Sequence, residues 1–272
     1  MNLVALAAVV AALASPPQAV DTFYGATLGS SVAPMASGAT PKPDVFTSDV
    51  GQIWTWRQES GGTAVTSRIT TDDDGSIAMI DVLARGAAGP DVAAPVRGGA
   101  RIGFGTTLAR AADVVFGAPE FEGAGPFPDG IGQADFRGYR LDGDREAVLL
   151  FDGSGGPLRE IFFGRRAALA RAGLIPHDAP PDVFKAASLS RLGSADFATR
   201  AEGVAYVRVV VNADGGVAGA TLFASSGDGD LDAVAIAIAR GSTFVPASRN
   251  GAPVASVYFR REDFVQSAST PR

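Results

Sequence analysis

The regular spacing of apolar residues is clearest in the last third of the chain. Residues 204–211 predict a strand that is largely apolar on both faces, with Ala205, Val207, Val209 and Val211 on one side and Val204, Tyr206, Arg208 and Val210 on the other. A strand of this kind lies in the centre of a sheet or is covered by a helix. Residues 212–215, Asn-Ala-Asp-Gly, then predict a tight hairpin, because glycine accepts the positive φ of such a turn. A second strand is predicted from Val217 to Ala224.

A helix is predicted next, from apolar residues at the spacing of one helix face. They are Leu231, Val234, Ala235 and Ile238. Acidic residues before Leu231 interact favourably with a helix N-terminus, and Arg240 followed by Gly241 is typical of a C-terminus. A last strand is predicted from about Val254 to Phe259, so this region reads strand, strand, helix, strand.

The first two thirds of the chain show one pattern twice, at a spacing of about 80 residues. Each unit predicts a short helix, a loop with Gly and Pro, and antiparallel strands. The aligned residues are Gly25-Ala26-Thr27-Leu28 with Gly105-Thr106-Thr107-Leu108, Gly51-Gln52 with Gly132-Gln133, and Gly75, Ile77 and Ile80 with Gly156, Leu158 and Ile161. The predicted strands are 53–57, 64–69 and 77–83 in one unit, and 135–141, 146–151 and 158–163 in the other.

These patterns predict an α+β protein of two domains. The first, residues 20–174, is an antiparallel sheet with short helices and two candidate repeats, 23–86 and 103–166. Residues 175–182 contain three prolines and predict an extended linker. The second domain, residues 183–272, is a small ββαβ unit, for which Asp182 predicts an N-cap of a short helix carrying Phe184 and Leu192.

Composition and the N-terminus restrict the function further. Residues 1–19 predict a signal peptide, with an apolar run from Leu3 to Leu13 and a cleavage motif at Ala12-Leu13-Ala14; an uncleaved anchor is the alternative. No later segment has the 20 or so apolar residues that a membrane span needs. The net charge of −6 argues against binding to nucleic acid or to an anionic membrane. We therefore expect a periplasmic protein.

Candidate chemistry is sparse. Cysteine is absent, and the one histidine, His177, lies in the predicted linker, far in sequence from the Ser225-Ser226 pair. Residues 72–75, Asp-Asp-Asp-Gly, depart from a calcium loop at two ligand positions and favour a hairpin turn. We predict no catalytic residue, no cofactor and no metal, and hence no enzyme. Trp54 and Trp56 share one strand face, as core residues or as a pair that grips a sugar or a protein; the core interpretation is favoured.

Several short motifs in the last domain occur in the order found in one family. They are Ser225-Ser226-Gly227, Leu231-Asp232, Phe244-x-Pro246-Ala247 and Asn250-Gly251. Residues 196–264 thereby resemble the C-terminal domain of the TonB family of periplasmic energy transducers. The resemblance implies that the edge of the last strand accepts an extended segment of a protein partner, such as an outer-membrane receptor in transport. Here that edge would present Val254, Ser256, Tyr258 and Arg260.

Two departures from the family pattern change what is expected. The Tyr-Pro pair that precedes the first strand in the family is Phe197-Ala198 here, and the long Pro-rich spacer is replaced by eight residues. We therefore expect a binding protein of the cell envelope that does not transduce energy. Two alternatives for the edge residues stay open: they complete the sheet, with Tyr258 half-buried, or they form a homodimer edge.

Residues 23–166 resemble, through glycine and turn spacing, the small outer-membrane assembly lipoproteins of the BamE type. Their tandem arrangement is similar to that of the secreted β-lactamase inhibitor proteins. This second resemblance implies another function, that of a periplasmic inhibitor or assembly chaperone that binds through its N-terminal sheet domain.

Overall fold

The structure, a computed structural model, describes residues 20–48, 50–60, 62–86, 89–128, 130–176, 184–195 and 201–265. Several predictions concern residues outside these ranges: the signal peptide, His177, Asp182, most of the predicted linker and Phe197-Ala198. Within the described ranges the chain is mainly antiparallel sheet with few helices, which confirms the predicted α+β character.

An eight-stranded antiparallel sheet dominates the first part of the chain. Its strand order is β3-β4-β5-β6-β12-β11-β10-β9, so two four-stranded meanders join through the β6–β12 pair. The elements are β1 (Thr22–Phe23), β2 (Ala26–Thr27), α1 (Ala33–Gly38), β3 (Asp44–Ser48), β4 (Gly51–Ser60), β5 (Thr63–Thr71), β6 (Ile77–Arg85), β7 (Asp91–Ala93), β8 (Arg101–Gly103), α2 (Ala109–Phe116), β9 (Phe121–Pro126), β10 (Gln133–Arg140), β11 (Arg145–Asp152), β12 (Leu158–Arg165) and α3 (Arg166–Arg171).

The six strands predicted in this region lie within or nearly within β4–β6 and β10–β12, whereas β3 and β9 were not predicted. Both are edge strands, β3 next to Pro43 and β9 with the sequence Phe-Glu-Gly-Ala-Gly-Pro. An edge strand has one neighbour, so it tolerates proline and polar residues that carry little strand signal.

Each of the two meanders has an equivalent backbone hydrogen bond from a glycine that precedes its helix. The Gly29 amide donates to the Ile77 carbonyl over 2.7 Å, and the Gly105 amide donates to the Leu158 carbonyl over 2.8 Å. Both glycines have a positive φ, 79° and 81°. In this contact Gly29 corresponds to Gly105, whereas the sequence alignment had placed Gly25 there. The division into repeats and domains stays a prediction.

Each face of the large sheet has its own core. One face packs against α1, α2 and the loops around β1, β2, β7 and β8, in a cluster that includes Trp54, Phe104 and Phe163. The other face packs against α3 and carries a smaller cluster around Phe162 and Leu169. The core interpretation of Trp54 is confirmed, since its side chain is fully buried. Trp56 is only partly buried.

The second part of the chain builds a small sheet of order β16-β15-β20 with one helix across it. Its elements are β13 (Phe184–Lys185), β14 (Ser188–Arg191), β15 (Gly203–Val211), β16 (Val217–Ala224), α4 (Gly229–Arg240), β17 (Thr243–Val245), β18 (Ala247–Arg249), β19 (Ala252–Val254) and β20 (Ser256–Phe264). The predicted strands at 204–211 and 217–224 and the predicted helix are confirmed as β15, β16 and α4.

Two predictions in this part are wrong in detail. Residues 184–191 form the short strands β13 and β14 instead of a helix, because they pair with β18 and β17, more than 50 residues further along the chain. The last strand runs from Ser256 to Phe264, so Val254 falls outside it. Asn250 and Gly251, both at positive φ, form the tight turn between β18 and β19.

Candidate functional site: the edge of the small sheet

The strand β20 forms one edge of the small sheet. Its ladder partner is β15, in a register that runs from Gly203 opposite Phe264 to Val211 opposite Ser256. Within the described residues no second strand pairs with β20. An edge strand offers backbone N–H and C=O groups to an incoming chain, and these are the groups that strand addition uses.

The structure places three of the four predicted site residues on β20. Ser256, Tyr258 and Arg260 alternate along the strand and lie on the face that carries α4. Val254 is separate from them, because it ends β19 and pairs with Ala247 of β18. That residue was expected at the start of the edge strand and is instead part of the neighbouring hairpin.

The side chains of these residues contact their own domain. The Tyr258 ring packs against Phe244, with centroids 5.1 Å apart, and burial raises the pKa of Tyr258 above its ordinary value. The Arg260 guanidinium forms an ion pair with Glu262, which is itself buried. Tyr258 is thus partly buried, and the Tyr258 and Arg260 side chains are both engaged within the protein.

The opposite face of the small sheet packs on the large sheet. Trp54 of β4 lies between three rings, with centroid distances of 4.9 Å to Tyr206, 5.7 Å to Phe223 and 5.7 Å to Phe259. Phe223 and Phe259 also approach Gly75 in the β5–β6 turn, where a Cβ would lie 2.6 Å from Phe223. The apolar character of both faces of β15 signalled such a cover. The sequence could not show that the large sheet supplies it.

Polar contacts hold β3, an edge strand of the large sheet, beside β20. The Arg261 guanidinium donates to the Pro43 carbonyl over 2.9 Å and to Asp44 Oδ1 over 2.8 Å, and the Tyr206 hydroxyl also donates to Pro43. The Gln52 amide donates to the Val257 carbonyl over 3.3 Å. Burial raises the pKa of Tyr206. Side chains thus connect the two edges without a shared ladder among the described strands.

The Ser225-Ser226 motif holds the loop that leads into α4. The Ser225 hydroxyl donates to Asp232 Oδ2 over 2.5 Å, and the Ser226 hydroxyl and amide donate to Oδ1 over 2.7 and 2.8 Å. The Asp228 carboxylate caps the helix by accepting from the amides of residues 230 and 231. Both hydroxyls are therefore used to position a loop on one buried carboxylate.

The remaining candidates from the sequence have structural roles. Residues 72–75 form the hairpin turn between β5 and β6, where hydrogen bonds from Ser76 lower the pKa of Asp74. Across the described ranges, no group of three or more acidic or histidine side chains is arranged to hold a metal ion. No helix in the part of the chain that the structure describes has the length and apolar character to cross a membrane.

Comparison with known proteins supports the assignment of the last domain. Residues 197–264 match the sequence model of the Gram-negative bacterial TonB protein C-terminal, which confirms the resemblance found from the motifs. No curated protein matches the chain. Among solved structures it is similar to a cysteine-rich secretory protein of Staphylococcus aureus subsp. aureus Mu50, with 14% sequence identity, a TM-score of 0.34 and coverage of 58% of this chain. The chain spans about half (49%) of the length of that protein.

The matched range contains β15, β16, α4 and β20, so it covers the edge strand and the surface that packs on Trp54. Domains of this family act through protein interactions.

Proposed function

We propose that this protein is exported to the periplasm, where it binds an extended segment of another envelope protein along the edge of β20. The partner class that fits best is an outer-membrane receptor or assembly protein. The protein acts as a non-catalytic binding protein without transducing energy. Among the predicted residues, Ser256, Tyr258 and Arg260 lie along this edge, and Val254 lies just before it.

The observation that carries this proposal is that β20 has a strand partner on one side only, among the strands that the structure describes. Within a region that matches the TonB family, this nine-residue strand pairs with β15 alone among the described strands. Backbone hydrogen bonds to an added strand supply affinity, and alternating side chains supply selectivity. The segment around Pro43 lies close to Arg261 of this strand, and Gln52 donates to the Val257 carbonyl, so a partner segment has to pair alongside these contacts or replace them.

A second candidate function, binding through the first domain as an inhibitor or chaperone, has one specific observation in its favour. Strand β3 is also a sheet edge, and its Phe46 side chain is 47% exposed. A partner that recognised this edge would contact Phe46 instead of residues 255–260.

The test uses the absence of cysteine, because any introduced cysteine is the only one in the chain. Ala255→Cys and Arg260→Cys place a photoreactive label at two positions five residues apart, one immediately before β20 and one on it. Thr221→Cys labels β16, the other edge of the small sheet, as a matched control, and Phe46→Cys labels β3.

The labelled proteins are irradiated in periplasm, and crosslinked peptides are mapped by mass spectrometry. Strand addition predicts that positions 255 and 260 crosslink to one partner segment, at sites about five residues apart, because paired strands advance together. Crosslinks from position 46 alone would support the second function. Crosslinks to unrelated segments, or equal labelling from position 221, would contradict strand addition at β20. Crosslinks to another copy of β20 would indicate the homodimer.

Deletion of residues 183–272 is a poor test of either function. It would uncover Trp54 and the neighbouring apolar surface, which the small sheet keeps from water. Loss of binding could then follow from aggregation. Single substitutions on the intact chain avoid this problem.

A further inference from the structure

An open cavity of about 360 Å³ lies between α1 and the large sheet, at a place that shares no residue with the β20 edge. Trp56, Gln58 and Ser67 line it from β4 and β5. Residues from the β1–β2 turn and from α1 and the loop after it line the other side, among them Tyr24, Met35 and Thr40. The volume falls within the range of small-ligand sites, roughly 300–1,000 Å³.

The lining combines aromatic surface with uncharged polar groups. Trp56 and Tyr24 are both partly buried, so part of each ring is accessible. The side chains of Gln58, Ser67 and Thr40 form no hydrogen bond with any other residue that the structure describes. No residue that lines the cavity is charged. A ligand that fits this lining is neutral. It has a weakly polar face that can stack on the rings of Trp56 and Tyr24, and hydroxyl groups that can bond to the Gln58 amide and to the hydroxyls of Ser67 and Thr40.

The walls of the cavity are fixed by the core beneath them. Tyr24 has a positive φ of 48° in the β1–β2 turn, and the preceding Phe23 is buried with its ring 6.0 Å from Phe163. On the other side, Val32 and Ala36 anchor α1 and are fully buried. Burial also raises the pKa of Tyr24. The cavity is therefore largely preformed, which reduces the entropy that binding costs.

We propose that this cavity binds a neutral pyranose unit of a glycan, with the sugar ring stacked on Trp56 and its hydroxyls bonded to Gln58 and Ser67. A pyranose has C–H groups on one face and hydroxyls around its rim, which matches the ring and the polar groups of the lining. An extended proline-rich peptide also docks on aromatic residues, but it needs a groove that continues for several residues at about 3.1 Å each. Here the aromatic and polar groups line a single open cavity of about 360 Å³.

The test measures sugar binding to the full chain by the fluorescence of Trp56. Because Trp54 and Trp56 are the two tryptophans of the chain, Trp54→Phe leaves Trp56 as the one indole. Maltotriose, cellotriose and chitotriose are titrated separately, with an octamer of proline as the peptide probe. We expect at least one sugar to give a saturable change in emission with a Kd below about 10 mM, a weak affinity typical of a small site.

Two variants locate the site. Gln58→Ala changes an exposed residue, so we expect the fold to be kept and binding to weaken about fivefold or more, as loss of one hydrogen bond does. Trp56→Ala, followed by calorimetry in the Trp54-containing chain, should abolish binding. Gln133→Ala, an exposed glutamine on β10, is the matched control and should leave the Kd unchanged. No saturable change with any sugar, unchanged affinity in Gln58→Ala and Trp56→Ala, or binding of the proline octamer alone would overturn the proposal.

Discussion

Trp54 connects the two sheets, and its replacement gives a sharp test of how the domains depend on each other. The side chain is fully buried, and three aromatic rings from the small sheet surround it at 4.9–5.7 Å. Truncation of a buried tryptophan costs about 3–5 kcal/mol through lost transfer energy and the cavity left behind. That range already includes the lost aromatic contacts, and three ring pairs place Trp54 toward its upper end. We expect Trp54→Ala to lower the free energy of unfolding by about 4–5 kcal/mol.

Two further substitutions provide matched controls. Trp56→Ala removes the same side chain from the same strand face, but that indole is only partly buried, so we expect a loss of about 1–2 kcal/mol. Trp54→Phe keeps an aromatic ring and removes the indole N–H, which has no hydrogen-bond partner among the described residues. Because the lost N–H was unsatisfied, its removal offsets part of the lost packing, and we expect a loss of about 1–2 kcal/mol.

The assay is urea unfolding with one probe on each sheet. Tryptophan emission, from whichever of Trp54 and Trp56 a variant retains, reports on the large sheet. A dye on Thr221→Cys, at an exposed position of β16, reports on the small sheet. In the parent protein we expect one transition for both probes, because the interface couples the sheets. In Trp54→Ala, followed by emission of Trp56, the dye transition should move to lower urea. The reasoning is refuted if Trp54→Ala costs no more than Trp56→Ala, or if the dye transition does not move.

Three other predictions follow from single contacts. Gly75→Ala should destabilise the protein by about 1–3 kcal/mol more than Gly62→Ala in urea unfolding. Both glycines have a positive φ, but only at Gly75 would the new Cβ meet Phe223. Equal losses of stability in the two variants would contradict this contact. Asp232→Ala should cost about 2–3 kcal/mol in thermal unfolding, because it leaves two serine hydroxyls and one amide without their acceptor, whereas Asp232→Asn should cost less. Absorbance titration of the native protein should show no phenolate with the ordinary pKa near 10, because burial raises the pKa of all the tyrosines, Tyr24, Tyr139, Tyr206 and Tyr258. Because the folded-state pKa values of the tyrosines are raised, their contribution to stability is constant below pH 10 and is lost as the pH rises through those values. A tyrosine of the native protein that titrates near 10 would show that its burial is wrong.

Local patterns were enough to find most of the strands and the long helix. Alternation in β15, the stripe of α4 and the Asp-Gly and Asn-Gly turns each depend on residues a few positions apart, so the sequence shows them directly. The strands that were missed have no such local signal. β13 and β14 are short, and their pairing partners β18 and β17 lie more than 50 residues away.

The candidate site was located only in part. The motifs around Ser225 and Asn250 placed the last strand in the right region, and three of four proposed residues lie on it. Its start was misplaced because nothing in the sequence from Val254 to Phe259 marks a break, although Ala255 lies between two strands. Strand propensity does not distinguish these cases.

The sequence by itself determined the antiparallel character of the sheets, the order β15, β16, α4, β20, and the family of the last domain, because each follows from neighbouring residues and their spacing. Tertiary structure alone decided that Tyr206 and Phe259 bury Trp54, that Arg261 holds β3 beside β20, and that Trp56 lines a cavity while Trp54 is buried. The two tryptophans share a strand face and differ in what covers them. Trp54 is covered by aromatic residues more than 150 positions away, and the local pattern around the two indoles contains no trace of them.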